Sequence, residues 1–283
     1  MRVVARAPNH LGDGVMALPA LSALAKVSHL RVQGPRWAHV LYRDLGVPVE
    51  QPGAADGADA AVLFPPSLSS AWAARRAGRR IGVPTDGRRW LLTDPVRPGR
   101  HRRDTYAALV EVLGARVEGD PVWSSHAKDP TVGLPAGHIG LNPLSASGAV
   151  REWPRFRALA DALGAPVVFY AGPGEGRRLA AVAGHHRQVV GLPLPALARA
   201  LESCAVLVSG DSGVAHFARA CGVPTVVIFG STDPDHTGPA GCTPVVGPSL
   251  ACAPCRKQRC RAALECFEIP VSSVLRAIER ARA

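Results

Sequence analysis

Residues 206–233 read V-L-V-S-G-D-S-G-V-A-H-F-A-R-A-C-G-V-P-T-V-V-I-F-G-S-T-D, and this stretch decides the fold. Its first three residues form a short apolar run that predicts a buried strand, and Asp211 and Ser212 follow as residues that favour a helix start. Residues 214–221 predict a helix, which the following Gly-Val-Pro ends. Residues 225–229 are apolar and β-branched and predict a second strand. The order strand, helix, strand predicts one unit of a parallel sheet.

The turn Asp211-Ser212-Gly213 follows directly on the first strand of this unit, where open α/β sheets bind ligands. A helix that begins there presents unpaired backbone N–H groups and the positive end of its dipole to an anion. His216, on the first turns of the helix, would add a charged donor. The simpler interpretation is that Asp211 caps the helix and His216 packs in the core. The four residues together favour a binding site for a diphosphate.

The 283-residue chain is long enough for one large domain or two of ordinary size. Hydrophobic residues make up 47% of the sequence, so a substantial core can form and disorder is not expected. The formal net charge is +11 and favours anionic partners such as nucleotides, phosphorylated glycans or anionic membrane surfaces.

The first ten residues lack the apolar core of a signal peptide, and no apolar run approaches the ~18–20 residues that span a bilayer. We therefore expect a cytoplasmic protein, with peripheral association at the cytoplasmic face of the inner membrane as a further option. In that compartment the seven cysteines are expected as thiols or metal ligands rather than as disulfides.

A glycine-rich version of the same strand–turn–helix pattern opens the chain. Residues 2–6 predict a strand, and residues 15–25 predict an apolar helix that its proline should kink or restart. Between them, Gly12 and Gly14 would let the backbone turn sharply and leave the Asp13 carboxylate at the end of the strand. Asp13 is then either a helix N-cap or a general base that faces a cleft. Because Gly-x-Gly-x-x-Gly is absent, the dinucleotide-binding fingerprint is not present.

Arginines are dense between residues 75 and 103, where the sequence reads R-R-A-G-R-R, G-R-R-W and R-P-G-R-H-R-R. A solvated basic surface is the default interpretation, and a groove for a phosphorylated or lipid-anchored acceptor is the alternative. Nucleic acid is not expected as a partner, because stacking aromatics are sparse here and no nucleic-acid motif appears. If the groove exists, we expect Arg80, Arg100 and Arg103 on the acceptor side.

Residues 118–135 are polar, proline-bearing and aperiodic, and they predict a domain boundary. We therefore divide the chain into residues 1–130 and 131–283, which both alternate short strands with helices. The predicted fold class is α/β, with two Rossmann-like domains whose parallel sheets face a central cleft. Further predicted strands are residues 29–32, 60–64, 139–142, 166–170 and 189–190, and further predicted helices are residues 37–45, 71–77, 105–113, 155–163, 194–201 and 271–282.

Four of the cysteines lie close together near the C-terminus, at Cys252, Cys255, Cys260 and Cys266. The first pair has the spacing of a zinc site, but the second pair does not match a zinc ribbon. A structural zinc, a loop-pinning disulfide and free thiols all remain open at this point, and a catalytic role is not expected.

The chain resembles glycosyltransferase family 9, the ADP-heptose:lipopolysaccharide heptosyltransferases, over nearly its whole length. The resemblance rests on A-P-N-H-L-G-D-G-V-M-A-L-P-A-L, R-R-A-G-R-R-I-G-V-P, N-P-L-S-A-S-G-A-V-R-E-W-P, G-P-G-E and D-S-G-V-A-H-F-A-R-A-C-G-V-P-T-V-V-I-F-G-S-T-D-P in that order, with C-A-P-C-R-K-Q-R-C after them. It implies a two-domain GT-B fold and an inverting, metal-independent transfer of a sugar from a nucleotide diphosphate.

The resemblance also implies roles for single residues. Asp13 matches the proposed catalytic base, which would deprotonate the acceptor hydroxyl as its oxygen attacks the anomeric carbon. The motif from Asp211 to His216 would stabilise the departing nucleoside diphosphate, and Glu175 would bind ribose hydroxyls. Arg151 lies where relatives commonly have lysine and would meet phosphate as a planar fork. The donor-binding residues implied in this way are Ser145, Arg151, Glu175, Asp211, Ser212, Gly213, His216 and Thr232.

The partners implied by the resemblance are a nucleotide-sugar donor, ADP-heptose first, and an anionic glycan or glycolipid acceptor. No cofactor would be required, and a monomer is expected. A non-catalytic protein that binds sugar nucleotides or anionic glycans is the main alternative, although the Gly12-Asp13-Gly14 segment argues against it. A dehydrogenase is a third hypothesis, and the missing dinucleotide fingerprint argues against that one.

Overall fold

The computed structural model describes residues 1–130, 132–255, 260 and 264–283. Residue 131, with which the second predicted domain begins, and residues 256–259 of the cysteine motif lie outside the described residues. The chain divides into two compact units, Met1–Val122 and Trp123–Ala283. Each unit is built on a six-stranded sheet, and every strand pairing is parallel, which confirms the predicted α/β class.

The sheet of the first unit has the strand order β3-β2-β1-β4-β5-β6. Its strands are β1 (Arg2–Arg6), β2 (His29–Gln33), β3 (Val49–Glu50), β4 (Ala60–Leu63), β5 (Arg79–Gly82) and β6 (Asp94–Pro95). Its helices are α1 (Leu11–Met16), α2 (Leu18–Val27), α3 (Ala38–Leu41), α4 (Leu68–Ala73) and α5 (Arg102–Glu111), with 3-10 helices at Arg43–Leu45 and Arg89–Leu91. Arg6 pairs with Leu63 and Leu63 pairs with Gly82, so β1, β4 and β5 end at one edge of the sheet.

The sheet of the second unit has the strand order β12-β11-β10-β7-β8-β9. Its strands are β7 (His138–Asn142), β8 (Val167–Ala171), β9 (Arg187–Val190), β10 (Cys204–Gly210), β11 (Thr225–Phe229) and β12 (Thr243–Val246). Its helices are α6 (Phe156–Ala162), α7 (Gly176–Ala183), α8 (Leu194–Glu202), α9 (Gly213–Ala220), α10 (Pro234–Thr237) and α11 (Val271–Arg282), with 3-10 helices at Gly148–Arg151 and Glu265–Phe267. The predicted β–α–β unit is confirmed, because β10 and β11 pair in parallel around α9.

The C-terminal helix α11 belongs to the core of the second unit. Val274 and Ile278 of this helix are buried in the same apolar cluster as Phe156 and Trp153. The Trp153 indole packs edge-on against the Phe156 ring and donates from Nε1 to the Ile269 carbonyl oxygen at 3.2 Å. The buried indole therefore meets the requirement that its N–H find a partner.

The segment Gly12-Asp13-Gly14 is helical, so the sharp glycine turn expected from the sequence is wrong. His10 is extended and is the N-cap of α1, and neither Gly12 nor Gly14 has a positive φ angle. Gly14 is needed for packing instead, because a Cβ atom there would lie 2.4 Å from a ring carbon of Trp37. The proline restart is confirmed, since α2 begins at Leu18 with proline in its first turn.

Within the described residues, the helices are all too short or too polar to cross a lipid bilayer.

Replacing Gly14 with alanine should destabilise the first unit. Alanine is the better helix former by about 1 kcal/mol, but the new methyl group would overlap the Trp37 ring and cost about 1–3 kcal/mol. We expect a melting temperature several degrees lower, measured by differential scanning calorimetry. The control is Gly164→Ala, because that exposed glycine has open space around its Cβ position and should tolerate the methyl group. A Gly14→Ala protein that melts at or above the wild-type temperature would contradict the packing argument.

Candidate active site

Asp13 lies on α1, which follows β1 at the carboxyl edge of the first sheet. Its Oδ1 accepts a hydrogen bond from Nη1 of Arg102 at 2.9 Å. The Asp13 side chain is 16% exposed and the Arg102 side chain 40% exposed, so the ion pair is partly shielded from solvent. The N-cap interpretation of Asp13 is wrong, because His10 occupies that position. The carboxylate is instead a charged group held in place by a basic partner.

Arg102 reaches Asp13 because α5 begins three residues earlier than the sequence predicts. His101 is the N-cap of α5, and its Nδ1 accepts from the Arg103 N–H at 3.1 Å. The Asp104 carboxylate in turn accepts from the His101 N–H at 3.2 Å, which completes a capping box. Arg102 therefore stands in the first turn of a helix that packs against α1.

Tyr106 lies one helical turn beyond Arg102, and its phenol interacts with the Asp13 carboxylate. Burial, followed by the negative charge of Asp13, raises the pKa of Tyr106 well above its ordinary value, so the phenol stays neutral and can donate. Burial is the largest single influence on Arg102 and lowers its pKa, but Asp13 and Tyr106 together outweigh it, so the pKa of Arg102 lies above its ordinary value. The Asp13 carboxylate therefore has a cation and a neutral phenol as neighbours.

The arginines between residues 75 and 103 do not form one surface. Arg88 is fully buried and donates to the carbonyl oxygens of Val83 and Pro65 at 2.9 and 2.7 Å and to Ser70 Oγ at 2.9 Å. Burial lowers the pKa of Arg88 to about 10, which leaves it charged at neutral pH. The expectation that the run is uniformly solvated is therefore wrong for Arg88, which connects the β5–β6 segment to the start of α4.

The three arginines predicted for the acceptor side have different surroundings. Arg80 donates from Nε to the Leu91 carbonyl oxygen at 2.6 Å, so part of its guanidinium stabilises the backbone. Arg103 forms an ion pair with Asp120 at 2.7 Å. Arg100 is exposed, just before the N-cap of α5. Their proposed contact with an acceptor remains a prediction.

In the second unit, Ser212 is the N-cap of α9, a role that the simpler interpretation of the sequence gave to Asp211. Ser212 Oγ accepts from the Ala215 N–H at 3.4 Å. It also accepts from Asn142 Nδ2 at 3.1 Å and lies 2.9 Å from Ser209 Oγ. Asn142 and Ser209 are register neighbours on β7 and β10, so the start of α9 is tied to the sheet.

Asp211 is buried beside the start of α9, with 6% of its surface exposed. Its Oδ2 accepts from Thr237 Oγ1 at 3.1 Å and lies 4.0 Å from Nη1 of Arg151. Arg151 ends a 3-10 helix whose backbone runs close to β10, because a Cβ atom on Gly210 would lie 2.8 Å from the Arg151 carbonyl oxygen. Asp211 and Arg151 are therefore brought together at the carboxyl end of β10.

Three other predicted donor-binding residues lie near this edge of the sheet. His216 is buried on α9, and Ser145 and Thr232 are buried in the segments that follow β7 and β11. Because β7, β10 and β11 are neighbours in one parallel sheet, the segments that follow them begin at the same edge. Gly213 is the first residue of α9 and contributes one of its unpaired backbone N–H groups.

Glu175 lies in the turn after β8, on the neighbouring strand of the same sheet. Its Oε2 accepts from the Gly172 N–H at 2.8 Å, and its Oε1 accepts from Arg178 Nη1 at 3.2 Å. Gly174 has a φ of +80°, a left-handed conformation that favours glycine, so the turn requires a glycine here. The carboxylate is held firmly and keeps lone pairs that sugar hydroxyls can meet.

Sequence reasoning missed several residues of these two clusters: Arg102, Tyr106, Asn142 and Thr237. For Arg102 and Tyr106 a usable signal exists in the sequence. His101 and Asp104 have the spacing of a capping box, and a helix that starts at Arg102 places Tyr106 on the same face four residues later. No comparable local signal marks Thr237.

All seven cysteines are free in the structure. Burial, followed by the charges of Cys260, Cys255 and Cys252, raises the pKa of Cys266, so the four thiols of the C-terminal cluster are neighbours. Within the described residues these thiols do not form a set of ligand atoms lying within 4.8 Å of one another, whereas Asp161, His185 and His186 do. That group lies on α6 and in the α7–β9 connection.

The model of the family described as glycosyltransferase family 9 (heptosyltransferase) matches residues 54–264. One curated relative, lipopolysaccharide heptosyltransferase 1 of Pseudomonas aeruginosa, is 40% identical over 70 residues. That match covers 24% of this chain and 20% of the relative, so the chain spans about a fifth of the relative's length.

Solved structures match over nearly the whole chain. The glycosyl transferase family 9 structure from Veillonella parvula has a TM-score of 0.80 at 21% identity and covers 99% of this chain and 97% of its own. The E. coli ADP-heptose lps heptosyltransferase II has a TM-score of 0.75 at 19% identity, and the match covers 100% of this chain and 98% of that structure's chain. TibC from enterotoxigenic E. coli is described as an iron-containing dodecameric glycosyltransferase. It has a TM-score of 0.70 at 18% identity, and the match covers 99% of this chain and 75% of the TibC chain. These similarities show the GT-B fold.

The family match spans most of the chain, from residue 54 to residue 264. The chain belongs to glycosyltransferase family 9.

Proposed function

We propose that this chain transfers a heptose, with inversion and without a catalytic metal, from ADP-heptose to a hydroxyl of a cell-surface glycan or lipopolysaccharide-core-like acceptor. Family membership and the similarity to a fold that serves an ADP-heptose transferase support this proposal. The observation that carries it is the Asp13 carboxylate, hydrogen-bonded to Arg102 and next to Tyr106 at the carboxyl edge of the first sheet. A binding protein without catalysis has no need for a carboxylate oriented in this way.

Asp13 is the general base of the proposed reaction. Its carboxylate takes the proton of the acceptor hydroxyl while the hydroxyl oxygen forms a bond to the anomeric carbon. The bond between that carbon and the diphosphate oxygen breaks, and its electron pair leaves with ADP. A single displacement of this kind inverts the anomeric configuration. Arg102 and Tyr106 are positioning residues, because both hold Asp13 and neither needs to touch the sugar.

The second unit stabilises the negative charge that grows on the departing diphosphate. The first N–H groups of α9 and the Arg151 guanidinium are the positive groups at the carboxyl end of β10. In other transferases a divalent metal has this role. Because a carboxylate repels phosphate, we assign to Asp211 the orientation of Arg151 and Thr237 rather than a direct phosphate contact.

Asp13→Asn should remove turnover and leave donor binding intact. Asparagine keeps the shape of the side chain but cannot take the proton, and a general base contributes about 10²–10⁴-fold to a rate. The measurements are ADP release in the presence of an acceptor glycan and ADP affinity by titration calorimetry. Wild-type turnover in this variant would exclude Asp13 as the base, and a wild type that binds ADP but never turns over would favour the non-catalytic alternative.

Arg102→Ala should lower kcat with little change in ADP affinity. Without its cationic partner the Asp13 carboxylate is free to rotate away from the acceptor hydroxyl, and misplacement by about 1 Å costs roughly 10²-fold in rate. The matched control is Arg31→Ala, which removes a similar ion pair to Glu50, at 3.0 Å, on β2. The positioning role would be wrong if the two variants had the same kcat.

Arg151→Ala should weaken ADP binding roughly tenfold or more, because one charged hydrogen bond to phosphate is lost. The control is Arg155→Ala, which removes an arginine four residues later whose partner is Glu268 at 2.7 Å. Titration calorimetry of both variants with ADP tests the assignment. Equal loss of affinity in the two variants would show that general positive charge, not the position of Arg151, binds the diphosphate.

A further inference from the structure

A carboxylate and two imidazoles come together on the second unit. Ligand atoms of Asp161, His185 and His186 all lie within 4.8 Å of one another. His186 Nε2 lies 2.8 Å from Asp161 Oδ1, and the centroids of the two imidazole rings are 4.1 Å apart. We call these three residues the histidine cluster. A simple surface ion pair explains the contact between Asp161 and His186, but it has no need for a second imidazole beside it.

The backbone that carries the two histidines is fixed against α6. Arg157, one helical turn before Asp161 on α6, donates from Nε to the Val182 carbonyl oxygen at 2.9 Å. Gly184 has a φ of +56°, a value that favours glycine, and a Cβ atom there would overlap the Arg157 guanidinium. The α7–β9 connection is therefore held beside Asp161 before any ligand binds.

The His186 ring is oriented by the core of the second unit. Its side chain is 15% exposed, whereas that of Asp161 is 49% exposed. The ring packs against Phe169 of β8, which is fully buried, with 5.8 Å between the ring centroids. The His186 N–H also donates to the Ala183 carbonyl oxygen at 3.2 Å. His186 is therefore the fixed member of the histidine cluster, and the exposed side chains of Asp161 and His185 can rotate to meet an ion.

The histidine cluster offers donor atoms that suit a divalent first-row transition metal. Two imidazole nitrogens and a carboxylate oxygen favour zinc over magnesium and calcium, which prefer oxygen ligands alone. Zinc bonds of about 2.0–2.2 Å place tetrahedral ligand atoms roughly 3.3 Å apart. Because the ligand atoms here lie within 4.8 Å, side-chain rotations that move them by about 1–2 Å close the cluster around an ion. Water would supply the fourth ligand.

We propose that the histidine cluster binds one zinc ion that stabilises the second unit. The ion replaces the contact between His186 Nε2 and Asp161 Oδ1, the His186 ring then carries its proton on Nδ1, and α6 is joined to the α7–β9 connection. Asp161 shortly precedes the start of β8 and the histidines precede β9, so the site lies at the amino edge of the second sheet. Asp211 follows β10 at the carboxyl edge, so the zinc is structural and takes no part in the proposed transfer.

The zinc site and the proposed transferase activity are independent of each other. Zinc binding needs no donor, acceptor or turnover, and the proposed displacement needs no metal. EDTA should therefore lower the melting temperature of the zinc-loaded wild type and leave its turnover unchanged well below that temperature. A failed transferase assay would not remove the zinc site, and a chain that binds no zinc could still be a transferase.

The test is calorimetric titration of the full chain, purified without a polyhistidine tag, with zinc chloride. We expect a site of micromolar affinity and a melting temperature several degrees higher at saturating zinc. His185→Ala should bind zinc roughly tenfold or more weakly, because it removes one of three ligands. This variant keeps the pair between Asp161 and His186, so its fold should be unchanged. His39→Ala is the matched control, because His39 is an exposed histidine on α3 of the first unit, and it should bind zinc as the wild type does.

The thiols of the C-terminal cluster are competing zinc ligands, so the titrations are repeated with Cys252→Ser/Cys255→Ser in the wild type and in His185→Ala. We expect the cysteine variant to keep the site and His185→Ala to weaken it in both backgrounds. Cobalt gives a second readout, because thiolate ligands produce strong near-ultraviolet absorption and imidazole and carboxylate ligands do not. Several results would overturn the proposal: a wild type that binds no zinc, equal zinc affinity in His185→Ala, or zinc binding that disappears with the two cysteines.

Discussion

The register of the parallel strands is the constraint on which the rest of this structure depends. Arg6, Leu63 and Gly82 stand in line across the first sheet, so the segments that lead to Asp13, to α4 and to the 3-10 helix Arg89–Leu91 all leave from one edge. In the second sheet the pairing of Ser209 with Asn142 places an amide and two hydroxyls at the start of α9. The residues proposed for the reaction therefore lie in segments that begin at the carboxyl edge of one sheet or the other.

The two units carry charged groups of opposite sign at their proposed sites, and each suits the chemistry proposed for that unit. The first unit holds a carboxylate beside Arg102 and Tyr106, an arrangement suited to orienting the proposed base. The second unit offers backbone N–H groups and Arg151, an arrangement suited to an anion. Asp211 is consistent with this division, because its carboxylate already accepts a hydrogen bond from Thr237.

The sequence predicted those elements whose signals are local. The β10–α9–β11 unit and α11 agree with the structure within about two residues, because apolar runs between glycine and proline signals mark their bounds. It could not predict the partner of Asp13, since Arg102 lies 89 residues away in a run of arginines that looked solvated. Gly12 and Gly14 suggested a turn because glycine favours turns, whereas Trp37 imposes the need for Gly14. The strands β3 and β6 have only two residues each, so they are too short to show the alternation of apolar and polar residues that predicts a strand.

The stereochemistry of the transfer is the measurement that tests the central claim most directly. Wild-type protein, ADP-heptose and an acceptor glycan would be combined in the presence of EDTA, and the product followed by the one-bond coupling of its anomeric carbon and proton in NMR. Direct displacement by a hydroxyl that Asp13 deprotonates predicts a product whose anomeric configuration is opposite to that of the donor, formed at an undiminished rate. Retention of configuration, or a reaction that stops when metal is chelated, would contradict the account.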